Sequence, residues 1–291
     1  MLDLHIHTNN SDGQDTTLEI LKKAEELKLQ YISITDHNVI TAYKDLKNIN
    51  IKDYYTGEII NGVELEFKYN GIIMDMLGYN IDISKIEETE PVKRWKDFDF
   101  LQVQKDILKQ YKKICDNLNI KYDSNLEVTN PNYKANDALY DNMIIFPENN
   151  DILNQMKAFD RTTFYRNCCC NSNSEFFIDR TIDAMTINQV VDAIHCAGGK
   201  AILAHMFVYG FENPEEVLEE IINLNIIDGI EVAHRKHTLE QTEYLLNRCN
   251  ELNLLYSCGS DFHMDKNRLG YVNEGRIQLN YEFVSKELLK L

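Results

Sequence analysis

Apolar and polar residues alternate from the start of the chain: Leu2, Leu4 and Ile6 are apolar, and His5 and His7 occupy the intervening positions. A period of two predicts a strand that carries both imidazoles on one face. Thr8 to Gly13, rich in Asn, Ser, Asp and Gly, reads as a turn, so Asp12 falls in the loop at the carboxyl end of that strand. Leu18, Leu21, Ala24 and Leu27 recur at helical spacing over 17–29, and Thr16 with Glu19 forms a capping-box signature at the start. Tyr31 to Thr35 reads as a second strand, ending on Asp36-His37-Asn38. Glu58 to Phe67 reads as a third, with Glu64 and Glu66 pointing to one side. A turn at Tyr69-Asn70-Gly71 leads into a fourth, Ile72 to Tyr79, where Asp75 lies among Met74, Met76 and Leu77. A carboxylate in such an apolar run is costly without a partner or a metal.

The period then changes. Between about Pro91 and Thr186, Phe98, Leu101, Leu108, Tyr111, Cys115 and Leu118 follow helical spacing, and shorter helical pieces are expected near 134–146 and 152–159. The earlier rhythm returns at Thr186, which forms a second capping box with Gln189. Strands are predicted at Lys200–Ala204, ending at His205, and at Asp228–Val232, which contains Glu231 and precedes His234, Arg235, Lys236 and His237. The last, Leu254–Gly259, ends in Ser260-Asp261-Phe262-His263. Alternating strands and helices, with acids and histidines at the strands' carboxyl ends, predict an α/β fold. The expected form is a distorted seven-stranded (β/α)7 barrel from residues 1–92 and 186–291, interrupted by a helical subdomain at 93–185. Because the insert leaves the rim after the fourth strand, it is expected to cap the site and to supply substrate contacts from Arg161, Arg166 or Arg180.

Charge narrows the partners. The chain of 291 residues carries 47 acidic and 30 basic side chains, a formal charge of −17. Such a balance repels phosphate backbones, so no long nucleic acid is expected as a partner. No apolar run is long enough to span a membrane, and Met1 opens directly into a strand, so the expected compartment is the cytoplasm. The seven cysteines, three of them consecutive at 168–170, read as reduced thiols.

His5, His7, Asp12, His37, Glu64, Asp75, His205, Asp261 and His263 are scattered along the chain, yet the barrel would bring all nine to one rim. A lone His-x-His pair is more often a satisfied core pair, but the repetition of the construction outweighs that reading. Nine imidazoles and carboxylates exceed the needs of one ion, so two or three divalent cations such as manganese, iron or zinc are expected, with Glu64 the preferred bridge. Paired metals can clamp a phosphoryl oxygen and acidify a bound water.

The motifs His5-Ile6-His7, Thr35-Asp36-His37, Gly62-Val63-Glu64, Leu77-Gly78-Tyr79, Ala204-His205 and Gly259-Ser260-Asp261-Phe262-His263 together resemble the polymerase-and-histidinol-phosphatase (PHP) superfamily of metal-dependent phosphoesterases. Gly229 to His263 is most similar to the branch acting on nucleoside phosphates and small phosphomonoesters. The resemblance implies three metal sites: His5, His7, Glu64 and Asp261; then Glu64, Asp75 and His205; then Asp12, His37 and His263. It also implies hydrolysis of a small phosphomonoester or nucleotide by metal-bound hydroxide. A phosphodiesterase or exonuclease, and a non-catalytic phosphate-ligand binder, are the alternatives. Asp75 stands where the family usually has histidine, and Met206 where proline is usual. Among residues with a catalytic reading, His237 matches a position near the substrate phosphate. Asp36 either orients His37 or caps the following turn. Arg235, Lys236 and Arg268 are weaker phosphate candidates, whereas His195 and His234 read as structural and Glu231 as barrel-facing without an assigned role.

Overall fold

A computed structural model of the chain describes residues 1–96, 99–130, 133–179, 184–264, 268–273 and 275–289. It divides into two compact units, Met1–Lys96 with Asp183–Leu291, and Asp97–Ile182.

The first unit contains β1 (Leu2–Ile6), α1 (Thr17–Glu26), β2 (Tyr31–Ile34), α2 (Thr41–Leu46), β3 (Glu58–Ile59), β4 (Gly62–Tyr69), β5 (Ile72–Tyr79), and the short helices α3 (Ile83–Glu87) and α4 (Glu90–Lys93). The second unit holds α5 (Phe100–Leu118), α6 (Ala135–Met143), α7 (Asn150–Gln155) and α8 (Arg161–Phe164). The chain then returns to the first unit with α9 (Ile187–Cys196), β6 (Lys200–Leu203), α10 (Pro214–Asn223), β7 (Gly229–His234), α11 (Leu239–Leu252), β8 (Leu255–Gly259) and a small hairpin, β9 (Tyr271–Val272) with β10 (Ile277–Gln278). Both anticipated capping boxes are present, at Thr16–Glu19 and Thr186–Gln189, and α11 has a third at Thr238–Gln241.

The strands of this unit do not form one continuous seven-stranded ladder among the described residues. They lie in a parallel three-stranded sheet, β1-β2-β3, and a five-stranded sheet, β4-β5-β6-β7-β8, with β9 and β10 apart. Isolated parallel bridges link the two larger sheets, Ile6 with Phe262 and His37 with Glu64. These bridges draw the carboxyl ends of β1 and β2 against the end of β8 and against β4.

The strand expected over Glu58–Phe67 is really two. β3 pairs with β2, whereas β4 pairs with β5. At the change of partner the Gly62 N–H donates to the Tyr43 hydroxyl at 2.6 Å. A Cβ on Gly62 would stand 2.2 Å from Ser33 Oγ, so only glycine allows this close crossing.

β1 is buried along its whole length, with Leu2, Leu4 and Ile6 in the core of this unit. Asp3, on the imidazole face, is satisfied by Ser260 N (2.9 Å), Ser260 Oγ (2.6 Å) and Gly270 N (2.7 Å). The second unit has a core of its own, which includes Leu108, Tyr111, Cys115, Leu139, Phe164 and Phe176. All seven cysteines are free thiols. No helix among the described residues is long and apolar enough to cross a membrane.

Candidate metal centre

Strand ends bring the donors together. β1 presents His5 and His7 with their Nε2 atoms 3.1 Å apart. The bridge between His37 and β4 then sets His37 beside Glu64, Nδ1 to Oε2 at 3.2 Å. Glu64 is wholly buried, and its oxygens also lie 3.3 Å from His5 Nε2, 3.2 Å from His7 Nε2 and 3.0 Å from His205 Nε2. Asp261 Oδ1 is 3.3 Å from His7 Nε2, and Asp12 Oδ1 is 3.0 Å from His263 Nε2.

The donor atoms form four overlapping sets: His7-Asp12-His37-His263, His5-His7-Asp261, His5-Glu64-His205 and His37-Glu64-Asp75. All nine residues singled out in the sequence occur in them. The grouping differs from the expected one: Glu64 is not in the set of His5, His7 and Asp261, His7 also joins Asp12, His37 and His263, and Asp75 is not in the set it was expected to share with His205. It falls instead beside His37 and Glu64, with 3.9 Å between Asp75 Oδ2 and His205 Nε2.

The donor chemistry fits divalent cations. Among the described residues, His7 Nδ1, His37 Nδ1 and Glu64 Oε2 are buried without a hydrogen-bond partner, an expensive condition unless a ligand completes them. Imidazole and carboxylate are the donors that zinc, manganese and iron take.

Without cations the cluster is a network of buried ion pairs. Burial alone would lower His7, but the adjacent carboxylates of Asp261 and Glu64 raise it to about 10. Burial likewise acts against His5, yet Glu64 and Glu231 hold it well above its ordinary range. Glu64 stays well below the usual carboxylate range despite burial, held there by His5 and His37. Asp75 is pushed up to about 7 by burial and by the charge of Glu64.

Three residues around these donors carry more weight than the sequence suggested. Glu231 bonds His5 Nδ1 (2.9 Å) and accepts from the His205 backbone N–H (2.9 Å). His234 Nε2 lies 3.2 Å from Asp261 Oδ2, and burial lowers its pKa to about 4. Arg235 donates to the same oxygen through Nε (3.0 Å) and Nη2 (2.8 Å). Such neighbours fix ring orientation and tautomer. The available signal was Glu231 itself, a charge inside an apolar strand, the pattern that drew attention to Asp75.

Other candidates are placed differently. Asp36 accepts from Thr8 N (2.7 Å), Thr8 Oγ1 (2.7 Å) and Ser11 Oγ (2.6 Å), so it anchors the loop after β1 and does not orient the His37 ring. His237 belongs to none of the four sets. Its Nδ1 bonds the Val232 carbonyl at 3.1 Å, its ring packs on Phe207 and His234, and with Arg235, Lys236 and Asn273 it lines a cleft of about 470 Å³. Arg268 is held by the Gly275 carbonyl and the Tyr271 ring, and His195 by Asp228. Arg161 pairs with Asp141 and Arg166 lines a cavity within the second unit, while Arg180 lies outside the described residues.

Three of the residues with positive φ lie at this rim. Asn38, His205 and Asp261 have φ of 57°, 23° and 50°, in the left-handed region that side chains avoid. Such outliers persist where surrounding structure over-determines them, often at functional sites.

A PHP-domain family model matches residues 3–153, just over half of the chain. The chain belongs to the PHP family. Over 266 residues it is 28% identical to a 5'-3' exoribonuclease of Haemophilus influenzae, covering 90% of this chain and 89% of that protein. It is 24% identical over 282 residues to a phosphoribosyl 1,2-cyclic phosphate 1,2-diphosphodiesterase of Eggerthella lenta, covering 93% and 97%. An amidohydrolase structure from Chromobacterium violaceum, with bound sulfate and no metal, superposes with a TM-score of 0.66 at 19% identity, covering 99% and 96%. That likeness concerns the fold alone.

Proposed function

We propose that the chain is a metal-dependent phosphodiesterase that releases nucleotides from the 5' end of RNA. The observation that carries the reading is the overlap of the donor sets, two of which share Glu64 and two of which share His7. Overlapping sets suit adjacent cations, and adjacent cations serve the in-line displacement of phosphoesters. When bound, such ions supply Lewis acidity to the phosphoryl oxygens and an acidified water. His5, His7, Glu64 and Asp261 would hold one, Asp12, His37 and His263 a second, and Glu64 with Asp75 or His205 a third. Glu231 would keep the His5 ring oriented, while His234 and Arg235 hold Asp261.

Sequence reasoning ranked a monoester above a diester. The names of the relatives, an exoribonuclease and a cyclic phosphate diesterase, favour the diester and support RNA as a substrate despite the net negative charge. The second unit, by itself, carries a row of exposed lysines. On α5, Lys105, Lys109 and Lys113 are exposed one turn apart and make no ion pair among the described residues. Net charge had concealed them, although backbone phosphates respond to local cations.

The deciding experiment gives metal-stripped protein a 5'-phosphorylated, 3'-labelled RNA oligonucleotide, with and without manganese. Stepwise loss of 5' nucleotides, abolished by a chelator, is the expected result. Faster release of inorganic phosphate from nucleoside monophosphates, with the RNA intact, would overturn the diesterase reading in favour of a monoesterase.

A further inference from the structure

We propose that Tyr209 is a positioning residue that presents Asp75 to a metal ion through one carboxylate oxygen. The proposal rests on the metal-centre reading above and goes beyond it in assigning a residue that no sequence motif marks.

The ladder between β5 and β6 stops short of Asp75. β5 pairs with β6 from Tyr79 back to Met76, opposite Leu203, and the Ala204 N–H donates to the Asp75 carbonyl at 3.2 Å. β6 ends there, so the Asp75 N–H has no strand carbonyl on that side. The Tyr209 hydroxyl takes its place, accepting from the Asp75 N–H at 2.8 Å. The same hydroxyl lies 3.3 Å from Asp75 Oδ2 and 3.5 Å from the Ala204 carbonyl. A phenol has one proton to donate, and the carboxylate is both the nearer and the stronger acceptor. Tyr209 thus grips Asp75 at its backbone and at Oδ2, which restrains the side chain about χ1. Oδ2, shared with the phenol, lies 3.9 Å from His205 Nε2, while Oδ1 carries no such bond to the phenol and lies 4.0 Å from His37 Nδ1.

The route to this contact is built into the chain. After β6 the backbone turns sharply at His205, whose N–H is held by Glu231, and Met206–Val208 forms a single 3-10 turn. That turn returns Tyr209 against the His205 ring, with 5.3 Å between centroids. One strained turn therefore places both an imidazole donor and the phenol that orients a second donor. Aspartate needs such help here because it is short and its cross-strand partner is another acid, Glu66.

The test is manganese titration by calorimetry, with elemental analysis of bound metal, on the wild type, Tyr209→Phe, Asp75→Asn and the double variant. Tyr209→Phe and Asp75→Asn should each weaken the same metal site by about 10- to 100-fold, and the double variant should be no weaker than Asp75→Asn. Because the Asp75 N–H loses its acceptor in Tyr209→Phe, the metal-free melting temperature should fall; a loss of affinity confined to one metal site, with the other sites at wild-type affinity, is what a merely structural tyrosine would not give. Wild-type affinity at every site in Tyr209→Phe, or losses that add in the double variant, would overturn the positioning role alone. A wild type that binds no metal would overturn the metal-centre reading itself. A second readout needs no variant. In tyrosine-labelled wild type, the ζ-carbon resonance of Tyr209 should move as diamagnetic zinc fills the site, and a resonance that stays in place refutes the proposal.

Discussion

Glu64→Gln is expected to lower phosphoesterase turnover by about a thousandfold or more and to reduce the metal content of the protein. Glu64 lies within 3.3 Å of His5, His7, His37 and His205, and two donor sets include it. An amide preserves the shape but carries no charge, and its nitrogen cannot act as a ligand. Lewis-acid stabilisation by metal ions is worth several kcal/mol, and each ~1.4 kcal/mol is a factor of ten in rate. The metal-free variant should also lose about 3–5 kcal/mol of stability, because removing one partner of a buried pair leaves uncompensated charge. Kinetics, elemental analysis and denaturant unfolding of the metal-free form check the three parts. Turnover within tenfold of wild type would mean that chemistry does not run through this cluster.

Metal affinity should climb steeply with pH while the stability of the metal-free protein falls. The free protein holds protons on His5, raised well above 6.5, and on His7, raised to about 10. Both must leave before the imidazoles can bind a cation. Filling the sites near neutral pH should therefore release more than one proton, and the logarithm of the apparent affinity should rise by about one to two for each pH unit. Titration calorimetry in buffers of different ionisation enthalpy reads the proton count.

For the metal-free fold the sign is opposite. Imidazoles raised above 6.5 contribute stability in full below that value and lose it as the pH rises through about 10 at His7. Glu64, depressed from 4.5, contributes above 4.5 and loses its share as the pH falls through its lowered value. The cluster should thus stabilise the metal-free protein most between about pH 4.5 and 6.5. Binding that releases no protons would show that the histidines are already neutral.

Local pattern carried the donors because each sits where a strand ends. His5 and His7 stand out through alternation on β1, Asp75 through being charged in an apolar run, and Asp261 and His263 through the turn after β8. What escaped depends on contacts that no window of sequence contains. Asp36 is adjacent to His37, yet its partners Thr8 and Ser11 lie 28 and 25 residues away. His234 ends β7 and Asp261 follows the neighbouring β8, and their pairing comes from the register of the two strands, not from either segment alone. The break between β3 and β4 was hidden because Glu58–Phe67 is suitable for a strand throughout; only the competing partners β2 and β5 decide that it divides. The lysines of α5 were missed for a simpler reason. Beside the net charge, the sequence reads as lacking a basic stripe, because Lys105, Lys109 and Lys113 alternate with apolar and acidic residues such as Leu108 and Asp106 and only the helical turn aligns them.

The two hydrophobic cores have no member in common. Cooperativity follows shared packing, so heating should not melt this molecule as one body. A calorimetric scan is expected to resolve two transitions, and only one of them contains the nine donor residues, all of which lie in the unit formed by Met1–Lys96 and Asp183–Leu291. Manganese at a hundred times its dissociation constant would stabilise that transition by about 2.7 kcal/mol per site and leave the other at its original temperature. A thermal-shift assay whose signal came mostly from the second unit would then score a tightly bound metal as no ligand at all.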